Sequence, residues 1–404
     1  MHSMSNFQMT HHRGEEHDLK KLRVGVIGLG GAGRAHVRRL NRNPFVKQVF
    51  GFDPKPITEI KDVTIVGSYE DLLSNVDAVT ICTPDRLHFD YIVSSLKAGK
   101  HVLAEKPMVA SLDEAKRLGL YINRYQELIF GVHHQMRCAP AFLKAREIIK
   151  QGKLGKLFYL EANYWHDMRK RASHFDNWRQ KEGQSLIFGH GCHPLDLLMH
   201  LIGEAPIKHS TYLSKNSFTK YNASYTSATI MLQFPDNVIG KVHVNSSCVY
   251  PQVYDLIAMG DKGTYIDGVL YTTERGFRQI ADFFGDSGWF NTEMIINKVR
   301  LPRKLLSVVI NVYMRTISRA IDLYMRSFSK LALLFMKEAD FGFRRFPFTV
   351  YNHDYACQYV IDNFVSTVLG REKIITSYEE AVRVIALCEE TEAEGIINMS
   401  GDKS

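Results

Sequence analysis

Paired cysteines are missing from this chain. Its six cysteines (Cys82, Cys138, Cys192, Cys248, Cys357 and Cys388) are scattered, and no two form a CxxC motif. That spacing excludes a disulfide framework and a cysteine zinc site; no metal is expected, and the matching compartment is the reducing cytoplasm. Residues 1–20 contain no apolar stretch and are polar and histidine-rich, so no secretory signal is expected and the segment reads as a disordered arm. Nor does a nucleic-acid motif accompany the formal charge of +8 and the pI near 9.0. The basic excess therefore needs another explanation.

What is present describes a folded protein. With 45% hydrophobic and 23% charged residues among 404, the chain is too long for one core, and two domains are expected. A nucleotide domain is placed at 21–140 and a substrate and oligomerisation domain at 141–404, the latter interrupted by an insertion at about 285–347.

The first domain opens with an apolar strand (Val24, Val26, Ile27) that runs into Gly28-x-Gly30-x-x-Gly33 and then a helical pattern (Ala35, Val37, Leu40). Strand, glycine turn and helix in that order make a dinucleotide fingerprint. Gly28 permits the tight turn, Gly30 lets the backbone approach a pyrophosphate, and Gly33 lets the helix pack on the strand. Leu29 and Ala32 belong to the same phosphate-facing turn. Asp53 follows a second strand, 20 positions after Gly33, where a carboxylate accepts from ribose hydroxyls and repels a 2′-phosphate. NAD is favoured over NADP on this ground, with Lys55 keeping NADP as the second choice; the alternative for Asp53 is an ordinary Asp-Pro turn. Further strands at 77–84, 101–104 and 129–133 alternate with helices, giving a doubly wound parallel sheet.

Thr83-Pro84-Asp85-x-x-His88, Ala98-Gly99-Lys100-His101-Val102 and Glu105-Lys106-Pro107 closely resemble the glucose–fructose oxidoreductase/inositol dehydrogenase (Gfo/Idh/MocA) family. The resemblance implies that Thr83, Pro84, His88, Glu105 and Lys106 line the cofactor. It further implies that Lys106 lies beside the nicotinamide and the reacting hydroxyl, where an ammonium stabilises charge on oxygen. The alternative for Lys106 is a surface lysine paired with Glu105. Gly191, His193 and Asp196 match the family's Asp-x-Gly-x-His-x-x-Asp signature, but Gly189 stands where the family has its first aspartate. His193 is then the expected general acid–base group, and His190 adjoins the gap as a substitute polar group. Arg137, Arg179, His193 and Asp196 are the expected substrate-binding residues. Tyr164, His166 and Arg169 are weaker candidates on the 165–180 loop. The family's second domain implies an α+β unit with an open, largely antiparallel sheet, so the fold class is α/β followed by α+β, in a dimer or tetramer. The strands read at 156–164, 227–234, 238–246 and 255–260, and the turns at Pro235-Asp-Asn and Gly260-Asp-Lys-Gly263, agree with this.

The resemblance does not cover residues 285–347. Between 301 and 337 seven basic residues stand against the single acid Asp322, which accounts for most of the net charge. Arg315, Arg319, Asp322, Arg326 and Lys330 form one helical stripe, with Ile317, Ile321, Tyr324, Phe328, Leu331 and Leu334 opposite. Charges interrupt every run long enough to span a bilayer. Helices packed on protein are the first reading, and a peripheral helix on an anionic membrane is the second.

Together these features lead to an NAD-dependent dehydrogenase acting on a sugar, cyclitol or sugar conjugate, a nucleotide sugar included. One alternative is transient oxidation followed by elimination, with the cofactor recycled. Another is a non-catalytic NAD-binding sensor, against which the presence of both Lys106 and His193 speaks.

Overall fold

The computed structural model describes residues 21–55, 57, 60–168, 185–215, 225–248, 253–266, 268–272, 278–280 and 353–401. The 1–20 arm, Arg169 and Arg179, and the 285–347 insertion with its basic stripe and expected membrane contact lie outside these residues.

Alternating apolar strands and amphipathic helices build the first layer. β1 (Leu22–Ile27), β2 (Val46–Phe52), β3 (Thr64–Ile65), β4 (Ala78–Ile81), β5 (His101–Ala104) and β6 (Phe130–Val132) form a parallel sheet in the order β3-β2-β1-β4-β5-β6. Helices cover both faces of such a sheet, so its inner strands are apolar throughout; all four residues of β4 are buried. The strand order reverses between β1 and β4, and the crevice at that switch point is where open α/β sheets bind ligands. The intervening helices are α1 (Gly31–Arg42), α2 (Tyr69–Asn75), α3 (His88–Lys97) and α4 (Leu112–Arg124). Two of them start at a serine cap: Ser68 Oγ accepts from Asp71 N, and Ser111 Oγ accepts from Glu114 N.

A short helix, α5 (Pro140–Lys150), leads into the second layer. It ends at Lys150, and residues 151–154 form a turn. β7 (Leu157–Trp165), β8 (Lys208–Ser214), β9 (Ser227–Gln233), β10 (Ile239–Asn245), β11 (Val253–Gly260), β12 (Gly263–Ile266), β13 (Val269–Thr272) and β14 (Arg278–Ile280) form one sheet in the order β14-β13-β12-β11-β7-β10-β9-β8. Only β7 and β10 pair in parallel within it. Leu160, Ala162 and Tyr164 on β7, with Val242 and Val244 on β10, are buried on the face that carries α6 (Cys192–Ile202).

The last two helices, α7 (His353–Val368) and α8 (Tyr378–Gly401), hold the layers together. Asp354 on α7 accepts from Arg39 and Arg42 on α1, each at 2.9 Å. α8 packs against α4 on one side and against α6 and β8 on the other. All six cysteines are free thiols. No helix among the described residues is long and apolar enough to cross a membrane.

Candidate active site

The glycine turn has the geometry its sequence demands. Gly28 has φ +86°, and a Cβ there would lie 2.9 Å from the Cys82 carbonyl. A Cβ on Gly33 would collide with Gly28 O, so α1 can approach β1 this closely only with glycine. At Gly30 the added atom would meet nothing within 4 Å, which leaves the turn open on the ligand side. Gly30 also caps α1 without a side-chain hydrogen bond, so first-turn N–H groups remain for a phosphate. Asp53 accepts from Leu29 N (2.8 Å) through one oxygen and from Lys55 N (2.9 Å) through the other. Each oxygen keeps a lone pair for a ribose hydroxyl. The residues present therefore fit a dinucleotide along the β1–β4 crevice.

The buried ring of His88 lies between two backbone carbonyls, Thr83 O and Pro107 O, each at 2.9 Å, and so bridges two loops that border the site. Glu105 also turns inward. His36 Nε2 lies 2.9 Å and His133 Nδ1 3.3 Å from its Oε1. Burial opposes its charge, but the His36 hydrogen bond and the Lys106 charge beside it outweigh burial and hold the carboxyl well below the ordinary range. Burial pushes the His133 imidazole down to about 3, so it stays neutral.

Lys106 reaches across to the second layer, where its Nζ donates to Gly189 O at 2.7 Å. Gly189 lies in a π-helical turn, Ile187–Gly191, that runs directly into α6. Such a wide turn displaces carbonyls from the α-helical ladder, and it is a frequent feature of functional sites. At Gly189 the group that meets Lys106 is thus a main-chain oxygen.

His193, in the first turn of α6, is 2% exposed and its Nδ1 has no hydrogen-bond partner. Burial first, and the Lys106 charge second, keep its pKa well below the usual histidine value, so the imidazole is neutral. Its ring stacks on Tyr164 (centroids 5.6 Å apart, planes within 1°). Tyr164 also touches His190 at 5.0 Å and receives a hydrogen bond from the Tyr254 hydroxyl at 3.1 Å. His166 lies 6.0 Å from His190.

Arg137 and Asp196 form a buried strut. Arg137 donates to both oxygens of Asp196 (2.8 and 2.6 Å), to Glu380 on α8 (2.8 Å) and to Ile375 O (3.0 Å). Asp196 is fully buried, and Arg137 outweighs the burial that opposes its charge, keeping its pKa low. The strut fixes the angle at which α6 presents His193.

Sequence reasoning missed Gly189 O, His36, His133 and Tyr254. The consecutive pair His133-His134 at the end of β6 was the available signal for one of them.

The nucleotide crevice, the lysine at its edge and the neutral histidine on the facing helix sit on a domain with the NAD-binding Rossmann fold of an oxidoreductase family. The Gfo/Idh/MocA oxidoreductase profile with that fold matches residues 22–134, and the family's C-terminal domain matches 142–266. The chain belongs to the Gfo/Idh/MocA family. It is 27% identical over 190 residues to scyllo-inositol 2-dehydrogenase (NADP(+)) of Bacillus subtilis, covering 45% of this chain and 52% of the relative. It is 26% identical over 253 residues to 2,7-anhydro-N-acetylneuraminate hydratase of Escherichia coli, covering 60% and 66% respectively. The chain thus spans between half and two thirds of the length of these two relatives. Among solved structures, scyllo-inositol dehydrogenase from Lactobacillus casei with NAD(H) and scyllo-inositol superposes with TM-score 0.65 at 16% identity, over 94% of this chain and 98% of that one. Myo-inositol 2-dehydrogenase from Lactobacillus plantarum gives 0.64 at 17%, with the same coverage.

Proposed function

We propose that this protein is an NAD-dependent dehydrogenase that moves a hydride between the cofactor and a CH–OH carbon of a sugar, cyclitol or sugar conjugate. The observation that carries the reading is the meeting of Lys106, on the nucleotide side, with the turn that delivers the buried, neutral His193. The nicotinamide would supply the hydride chemistry. Lys106 holds the substrate oxygen by donating from its ammonium, and it stabilises the charge that grows there as the proton leaves. His193, neutral and with one ring nitrogen unengaged, accepts that proton. Tyr164 holds the imidazole plane by stacking, and the Arg137–Asp196 strut holds the helix beneath it. Inositol dehydrogenases among the relatives and structural neighbours support a polyhydroxylated ring as substrate. A dimer or tetramer belongs to the same reading. It is supported by the half-exposed outer face of the second sheet, where Tyr159, Ile257 and Met259 lie.

The second reading, oxidation followed by elimination without net redox, is favoured by Gly189 and by the relative named as a hydratase. The purified protein is incubated with NAD and a panel of cyclitols, sugars, uronates and nucleotide sugars, with NADH absorbance and products followed together. NADH formation is the expected result. Product without NADH favours the second reading, and tight NAD binding with no product from any compound overturns both.

A further inference from the structure

Gly189 O can hold Lys106 only if the π-turn keeps its shape, and a backbone carbonyl has no side chain to steer it. The turn is fastened from behind by one tyrosine. Tyr225, at the entrance to β9, is 3% exposed, and its hydroxyl oxygen lies 3.0 Å from Ser185 Oγ and accepts from Ile187 N at 3.4 Å. The same hydroxyl donates to Glu392 on α8. Ser185 completes the fastening: its Oγ accepts from Phe188 N (3.2 Å) and its carbonyl accepts from Gly189 N (2.8 Å). Burial, reinforced by the Glu392 carboxylate, pushes the Tyr225 hydroxyl far above its usual pKa. The phenol therefore stays protonated and remains a donor to Glu392. A connected path runs from Glu392 through Tyr225 and the turn to Gly189 O and Lys106 Nζ.

We propose that Tyr225, with Glu392 as its acceptor, is a positioning residue for Lys106. It acts by fixing the π-turn whose carbonyl holds the lysine. The assignment rests on the reading of Lys106 as the group that holds the substrate oxygen, but its test does not depend on a known substrate. Removing the phenol leaves Ile187 N without its acceptor in a buried place, and the turn relaxes to find another. A displacement of about 1 Å at a reacting group costs on the order of 10²-fold in rate, so a small relaxation matters. Simple loss of packing would be felt throughout the second layer instead, and this is the distinction the measurement exploits.

The experiment is amine labelling of the full chain with acetic anhydride at fixed pH, quantified peptide by peptide. Lys241, paired with Glu161 at 3.0 Å on the second sheet, serves as the internal reference. Tyr225→Phe and Glu392→Leu are expected to raise the labelling rate of Lys106 about tenfold, as the lost hydrogen bond exposes the amine. Lys241 labelling, the melting temperature within a few degrees and the NAD dissociation constant should stay put. Glu392→Gln, which keeps an oxygen for the phenol, should behave as wild type. Unchanged Lys106 labelling in Tyr225→Phe overturns the proposal, as does a rise shared equally by Lys241. Lys106→Met separates the two readings once a substrate is known: full activity in that variant overturns the role of Lys106, whatever the labelling shows.

Discussion

The two layers carry function in different ways. In the nucleotide layer, the decisive positions are ones where a side chain is forbidden. Gly28 sits at φ +86°, and Gly33 touches the Gly28 carbonyl so closely that any Cβ would collide with it. In the substrate layer, the decisive contact is made by a carbonyl that every residue possesses, and what matters is the turn presenting it. Local steric rules write the first kind of site into the sequence. The second kind depends on partners far away along the chain, such as Tyr225 and Glu392 behind the π-turn.

The sharpest challenge to this contrast is Lys106→Met, because Lys106 joins the layers. We expect kcat to fall by about 10²–10⁴-fold, with NAD affinity by fluorescence titration essentially unchanged; a parallel loss of NAD binding would mean that the residue belongs to the nucleotide layer alone. Next in size is Asp196→Asn, which leaves Arg137 buried beside a neutral amide. Urea unfolding should register a loss of about 3–5 kcal/mol, and a loss below 1 kcal/mol would contradict the strut. The strut also has a pH signature. Glu380 is pushed down from 4.5 to about 2, and Asp196 is likewise lowered. Both groups bind protons more readily when unfolded, so their contribution is complete above pH 4.5 and is lost as pH falls toward 2. The decline should be shallower in Asp196→Asn.

His193→Gln tests the neutral imidazole, with an expected drop of about 10²-fold in kcat. Because the His193 pKa lies well below 6.5, wild-type activity should be flat through pH 7 and fall only well below 6.5. That acid limb should vanish in the variant. Asp53→Ser is the mildest change: the preference for NAD over NADP should shrink about tenfold, or 1.4 kcal/mol, as the charge facing a 2′-phosphate is removed. An unchanged preference would leave Asp53 as a turn residue only.

The parallel sheet and the glycine turn were legible because each rests on short-range pattern: a buried strand and a backbone angle. The antiparallel pairings at Pro235-Asp-Asn and at Gly260–Gly263 were legible for the same reason. The partner of Arg137 was not legible, because an arginine beyond a strand carries no mark of Asp196, 59 residues away. Nor does a helix-start histidine carry any mark of the two carbonyls that the His88 ring meets. The role of Gly189 could be seen only as a missing carboxylate, since a carbonyl has no residue identity.

The clasp made by residues 353–401 has a consequence for how the protein is made. α1 and α4 leave the ribosome well before Asp354 and α8, which pack on them. At about 5–20 residues per second, the roughly 250–300 residues between these partners impose a wait of about 13–60 s. During that interval Arg39 has no acid to meet and the α4 face has no cover. The nascent nucleotide layer is therefore a natural client for chaperones that hold unfinished domains, and its cover arrives only with residues 353–401.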